Sequence, residues 1–216
     1  MAIVVAAFFI IIILFIVSII RLYLTIGNVS NYKPESKGRI PVLVVAGSGG
    51  HTTEMLRLME SLSAAFSPRL YVLADTDRMS EDKVRAFEQS KESFNSDPQY
   101  AIHRIPRSRE VHQSWSSSVV STLNALRYSV PLVFRLRPDM VLCNGPGTCV
   151  PLCMAGLLLG VVGMKKVLIV YVESVCRVET MSLTGRILYH MADYFFVQWA
   201  SLKDRYPKSI FLGRIV

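Results

Sequence analysis

The chain has 216 residues, 51% of them hydrophobic, with 24 Lys and Arg against 16 Asp and Glu and a formal net charge of +8. Apolar content this high with so modest a net charge excludes a disordered chain, and the presence of one long apolar run rather than several excludes a polytopic membrane protein. Arg21 is the only charged residue before Lys33, so the other 23 basic and all 16 acidic residues lie in a body of ordinary globular composition, long enough for one α/β domain with its own core.

The first element is the run Ala2 to Ile20, AIVVAAFFIIIILFIVSII, uncharged and with Ser18 as its one polar side chain. At about 1.5 Å per residue it nearly crosses a hydrocarbon core of about 30 Å, and Tyr23 and Leu24 extend it. A cleaved signal peptide wants a basic start, a shorter apolar stretch and a small-x-small cleavage site, none of which is present. Residues 1–26 are therefore expected to form one uncleaved transmembrane helix. Arg21, Lys33, Lys37 and Arg39 follow it, and the excess of positive charge on that side predicts a cytosolic body. On that side the sequon Asn28-Val29-Ser30 has no meaning. Residues 27–39 (GNVSNYKPESKGR) read as a polar linker.

The body, 40–216, alternates short β-branched runs with longer helical stretches. Strands are expected at Pro41–Ala46, Leu70–Asp75, Tyr100–Ile105, Met140–Asn144, Val167–Val172 and Tyr194–Gln198. Helices are expected at about 52–65, 79–91, 115–135, 149–162, 181–192 and 199–205. The strand runs are continuously apolar, as parallel strands buried on both faces are. The fold class is thus α/β, a Rossmann-like doubly wound parallel sheet preceded by one transmembrane helix. Residues 89–98 (QSKESFNSDP) read as a flexible loop. Residues 150–162 (VPLCMAGLLLGVV) are too short to cross a bilayer; they read as a buried helix covering the sheet, or one dipping an apolar face into the membrane surface. Cys143, Cys149, Cys153 and Cys176 lack metal-ligand spacing and read as reduced buried thiols.

In an open α/β sheet ligands bind beyond the carboxyl ends of the strands, and each expected strand ends there in a polar group. The first ends in Gly47-Ser48-Gly49-Gly50-His51. Three glycines let backbone N–H groups approach a ligand closely, and the helix that follows offers its positive end to phosphate. A tight turn would explain the glycines but not His51, a candidate general base for a sugar hydroxyl. Glu54, three residues on, could orient the ring; the pair could also be only a helix-start hydrogen-bonder and a dipole partner. The second strand ends in Asp75-Thr76-Asp77, which spells the D-x-D of metal-dependent sugar transferases and places Asp75 where a dinucleotide fold keeps its ribose-binding acid; a bare Rossmann strand end reads the same. No metal is expected. Arg104, Arg107 and Arg109 after the third strand suit a diphosphate, or form a solvated basic loop with Glu110. Asn144-Gly145-Pro146-Gly147-Thr148 is a turn with Thr148 as helix cap, and its amides and Asn144 could hold a sugar or phosphate. Glu173 is either paired with Arg177 or kept for acid–base work. A basic helix and an aromatic platform for nucleic acid are lacking, so none is expected to bind.

The stretches VLVVAGSGGHTTEMLRLM, HRIPRSREV, DMVLCNGPGTCVP and YVESVCRVET, behind an anchor helix, closely resemble the family of membrane-anchor subunits of the two-subunit UDP-N-acetylglucosamine transferase of dolichol-linked oligosaccharide assembly. The strand–GSGGH–helix opening is also similar to the amino-terminal half of the bacterial lipid-linked N-acetylglucosaminyltransferases, whose fold is GT-B. The resemblance implies transfer of GlcNAc from UDP-GlcNAc to the 4-hydroxyl of GlcNAc-diphosphodolichol, with inversion, on the cytosolic face of the endoplasmic reticulum membrane, continuous with the nuclear envelope. It implies that Gly47, Gly49, Gly50 and His51 are the acceptor loop, with no cofactor needed. A soluble partner subunit would bind most of the UDP-GlcNAc in a heterodimer or larger complex, and this chain alone would be inactive. The apolar end Phe211–Val216 would dock on that partner or form an ordinary terminal strand. Two alternatives remain: a pure recruitment scaffold, and a membrane-bound NAD-dependent enzyme.

Overall fold

The computed structural model describes residues 2–26, 38–92, 99–110 and 113–216, with Ala2–Ala7, Ile10 and Glu92 described as backbone only. Seven helices and seven strands alternate along the described chain: α1 (Ala2–Thr25), β1 (Val42–Val45), α2 (Gly50–Ser61), β2 (Arg69–Ala74), α3 (Arg78–Glu92), β3 (Tyr100–Ile105), α4 (Trp115–Leu136), β4 (Met140–Asn144), α5 (Cys149–Val161), β5 (Leu168–Val172), α6 (Leu183–Leu188), β6 (Tyr194–Val197), α7 (Ala200–Arg205) and β7 (Ile210–Phe211). The six expected strands are present to within a residue at each end. The expected linker 27–39 falls mostly, and the expected loop 89–98 partly, outside the described residues.

All strands run parallel in one sheet of order β3-β2-β1-β4-β5-β6-β7. Continuous apolar runs form it because both faces are covered. Leu43 and Val45 of β1 face one core with Val141, Cys143, Ile169 and Tyr171, under α4 and α5. Val42 and Val44 face the other, with Tyr71, Leu73, Met55, Met59 and Val84, under α2 and α3. The order reverses between β1 and β4, so the loops after those strands diverge to opposite faces and leave a crevice at the carboxyl rim.

Helix α5 covers the sheet as expected: Leu152, Ala155, Gly156 and Leu159 are buried. Its outer side meets α1. Gly160 lies against Thr25, and the Arg21 guanidinium sits over Gly163 and approaches the Val161 carbonyl at 3.4 Å. Phe15, Ile19 and Leu22 of α1 wall an apolar cavity of about 390 Å³ with Leu126, Val130 and Leu158. Among the described residues no helix is long and apolar enough to cross a membrane; α1 is a 24-residue helix. Three cysteines are buried thiols as expected, but Cys176 is exposed, because the chain after β5 runs out over the rim.

Candidate functional site

The loops after β1 and β4 meet at the switch point. Gly49 takes φ +65 and starts α2, which turns His51 back toward the β4 loop. A Cβ at Gly47 would meet the Pro146 ring, and one at Gly145, where φ is +74, would overlap the His51 ring. Both glycines are therefore needed for the two loops to touch, which is a firmer reason for them than turn-making alone. Below the loop, the buried Thr52 hydroxyl donates to the Gly47 carbonyl and fixes its direction.

A hydrogen-bond chain runs across the crevice. His51 Nδ1 lies 3.1 Å from Asn144 Oδ1. Asn144 Nδ2 donates to Glu54 Oε2 at 2.9 Å and to the Val172 carbonyl at 3.3 Å. The Ser174 hydroxyl donates to Glu54 Oε1 at 2.8 Å. Glu54 thus shares a helix face with His51, as expected, but meets it through Asn144 rather than directly. Asn144 is fully buried and belongs to this chain of bonds, not to a ligand-facing wall.

Two cavities are lined by His51, and a third adjoins both. The first, of about 290 Å³, is lined by Gly50, His51, Glu54, Gly145, Glu173 and Arg177. The second, about 230 Å³, is lined by Gly47, Ser48, Asp77, Arg107, Arg109, Glu110, Gly147 and Thr148 beside His51. The third is an apolar groove of about 440 Å³ between α4 and α6, walled by Trp115, Val119, Leu123, Leu183 and Ile187. Arg109 and Gly147 join it to the second cavity, and Gly145 and Arg177 to the first. The Arg109 guanidinium stacks over the Trp115 ring, 5.0 Å from its centre, at that junction.

Other expected residues fall differently. Arg104 lies inside β3 and is paired with Glu81, which also holds Arg85 at 2.7 Å; it lines none of these cavities, because strand alternation turns it toward α3. The three-arginine cluster is thus two, Arg107 and Arg109. Thr148 stands at the start of α5 without a side-chain capping bond. Asp75 is exposed and outside the cavities, and the Asp77 carboxylate takes the Ser80 N–H at 3.1 Å and its hydroxyl at 2.8 Å, a helix-capping arrangement.

Glu173 is fully buried at the end of β5. It accepts bonds from the Ser174 N–H at 3.2 Å and from the Ser182 N–H and hydroxyl at 3.1 and 3.0 Å, and Gly185 leaves room for its carboxylate. Burial raises its pKa, and those donors and the Arg177 charge only partly oppose this. Burial likewise drives the neighbouring Tyr171 phenol far up. Sequence reasoning missed the groove. Its signal was the i, i+4, i+8 series Trp115, Val119, Leu123, which reads as core until the small Ser118, Ala125 and Ser129 are found on the buried face instead.

Residues 42–215 match the family described as oligosaccharide biosynthesis protein Alg14 like. A human protein named UDP-N-acetylglucosamine transferase subunit ALG14 is 57% identical over 201 residues, 92% of each chain. Its Schizosaccharomyces pombe namesake is 42% identical over 176 residues, 80% of this chain and 81% of that one. Among solved structures, Acinetobacter baumannii MurG superimposes with a TM-score of 0.56 at 15% identity, covering 82% of this chain and 44% of that one. The chain therefore spans less than half of MurG, and the likeness is one of fold.

Proposed function

The chain belongs to the Alg14 family of oligosaccharide-biosynthesis proteins, and from that premise we propose that it is the acceptor-side subunit of a UDP-N-acetylglucosamine transferase that extends GlcNAc-diphosphodolichol. The observation that carries this reading is the junction at Arg109, where a cavity lined by two arginines and glycine-rich loops runs into an apolar groove beside a histidine. A lipid diphosphate has the same two parts. Arg107, Arg109 and the loop amides would take the phosphates by charge-assisted bonds. Trp115, Val119, Leu123, Leu183 and Ile187 would take the first isoprene units, and the sugar would lie in the cavity of His51, Glu173 and Arg177.

In this reading His51 accepts the proton of the acceptor 4-hydroxyl as its oxygen attacks the donor C1 from the face opposite UDP. The new C–O bond forms as the C1–O bond to UDP breaks, UDP leaves with that electron pair, and the configuration inverts. No protein group is covalently modified. Most of the donor would be held by a soluble partner subunit; the word subunit in the relatives' names supports a divided enzyme, inactive as this chain alone. The uncharged 2–20 run and the basic residues after it support a single-pass anchor with the body on the cytosolic side, which in this reading is the cytosolic face of the endoplasmic reticulum membrane. Domains are then anchor 1–26, linker 27–39 and acceptor-side body 40–216.

The test is His51→Ala in the assembled complex. Turnover of a short-chain GlcNAc-diphosphopolyprenol is expected to fall about 10²- to 10⁴-fold with the complex intact. Unchanged turnover would mean that the chain recruits its partner and contributes no base.

A further inference from the structure

Asn144 is buried between two acceptors and a ring, and its orientation follows from what those neighbours can do. Glu54 Oε2 and the Val172 carbonyl accept and do not donate, so the amide nitrogen faces them, at 2.9 and 3.3 Å. Turning the amide over would set its oxygen against both. Glu54 is itself held on its other oxygen by Ser174, so it cannot swing away to relieve that contact. With the nitrogen fixed, Oδ1 faces His51 Nδ1 at 3.1 Å, and an amide oxygen only accepts. Nδ1 of the neutral ring must then carry the hydrogen, which leaves the lone pair on Nε2. The ring lies against Gly145, where any side chain would overlap Cε1 and Nδ1.

We infer that Asn144 is a positioning residue that sets the tautomer of His51, that Glu54 acts through it, and that Nε2 is the atom that receives the substrate proton. This reassigns Asn144 and Glu54 from ligand contact and direct ring partner to a relay reaching across the crevice from β4 and α2. It rests on His51 being the base, and an orienting hydrogen bond on the second ring nitrogen is what a histidine base or ligand requires. Ser174 closes the relay on the β5 side, so three strand ends converge on one nitrogen.

The experiment reads the ring directly. The full chain, labelled with ¹⁵N-histidine and assembled with its partner in detergent, has four histidines, and the His51 signals are found by difference from His51→Gln. The expected neutral form has hydrogen on Nδ1 and an unprotonated Nε2. Hydrogen on Nε2 in the wild-type ring overturns the inference. Asn144→Leu is expected to populate the other tautomer and lower kcat about 10- to 100-fold with acceptor KM within about twofold. The double change Asn144→Asp with Glu54→Gln keeps an acceptor on Nδ1 and a donor on the other carboxylate oxygen, at the cost of the bond to the Val172 carbonyl, and should restore the tautomer; failure to restore the tautomer counts against the relay. The tautomer decides this inference and the turnover of His51→Ala decides the base reading, so either can fail without the other.

Discussion

At the scale of single residues, Glu173 is where burial and chemistry pull apart. Its carboxyl is raised above the ordinary value of 4.5 chiefly by burial. A group whose folded pKa exceeds its unfolded one contributes fully below the unfolded value, and that contribution is lost as pH rises through the folded one. Above its unfolded value Glu173 therefore costs stability, and Glu173→Gln, which cannot ionise, escapes that cost. The melting temperature of the variant relative to wild type is expected to rise between about pH 4.5 and 7, whatever its starting value after the change in hydrogen bonding to Ser182. A difference that stays flat across this range would show that Glu173 is not held up by burial. The glycine loop and His51 were legible in the sequence because strand, glycines and helix are contiguous. The relay was not, because 93 residues separate His51 from Asn144 and 120 separate Glu54 from Ser174. Nor was the fate of Arg104 in β3, whose partner Glu81 comes from α3.

At the scale of elements, strands were legible where burial on both faces removes alternation, and β1, β2, β4 and β5 are all of that kind. Helix α6 is shorter than its apolar pattern: the Ser182 hydroxyl accepts the Gly185 N–H at 2.9 Å and fixes the start, and the chain turns after Leu188, whose carbonyl takes the Met191 and Ala192 N–H groups. The outer face of α4 was not legible, because apolar residues on both sides of a helix carry no label for which side meets the sheet. Helix α1 is the element on which the proposed membrane attachment rests. It packs on α5 at Gly160 and on the turn after it at Gly163, whose missing side chains admit Thr25 and Arg21. Gly160, inside the 150–162 segment, thus serves helix packing. If α1 is the anchor, the full chain should stay in the pellet after alkaline carbonate extraction of membranes, whereas a chain lacking 1–26 should be released. A truncated chain that resists extraction would assign attachment to the body, and the exposed Trp115, Val119 and Val120 of α4 would be the face to examine.

At the scale of the whole molecule, strand order does what no single motif can. Each βα unit is local, and the sequence yields six of them, but the site exists only because β4 returns beside β1 after β2 and β3 have gone the other way. That reversal brings the Gly47–His51 loop against Asn144–Gly147 and opens the arginine-lined cavity on one side and the apolar groove on the other. Every group invoked to hold the acceptor therefore comes from this one chain, while those invoked to hold the nucleotide sugar come from the partner. Binding and turnover should then separate. The purified full chain in detergent is expected to bind a short-chain GlcNAc-diphosphopolyprenol, with affinity falling as salt is raised because the phosphates are met by Arg107 and Arg109, yet to release no UDP from UDP-GlcNAc. Titrating in the donor-binding partner should restore turnover to a plateau at a fixed molar ratio. Product formed by the chain without partner would refute the division of labour. Acceptor binding that appears only with the partner present would move the lipid site to the interface between the two subunits.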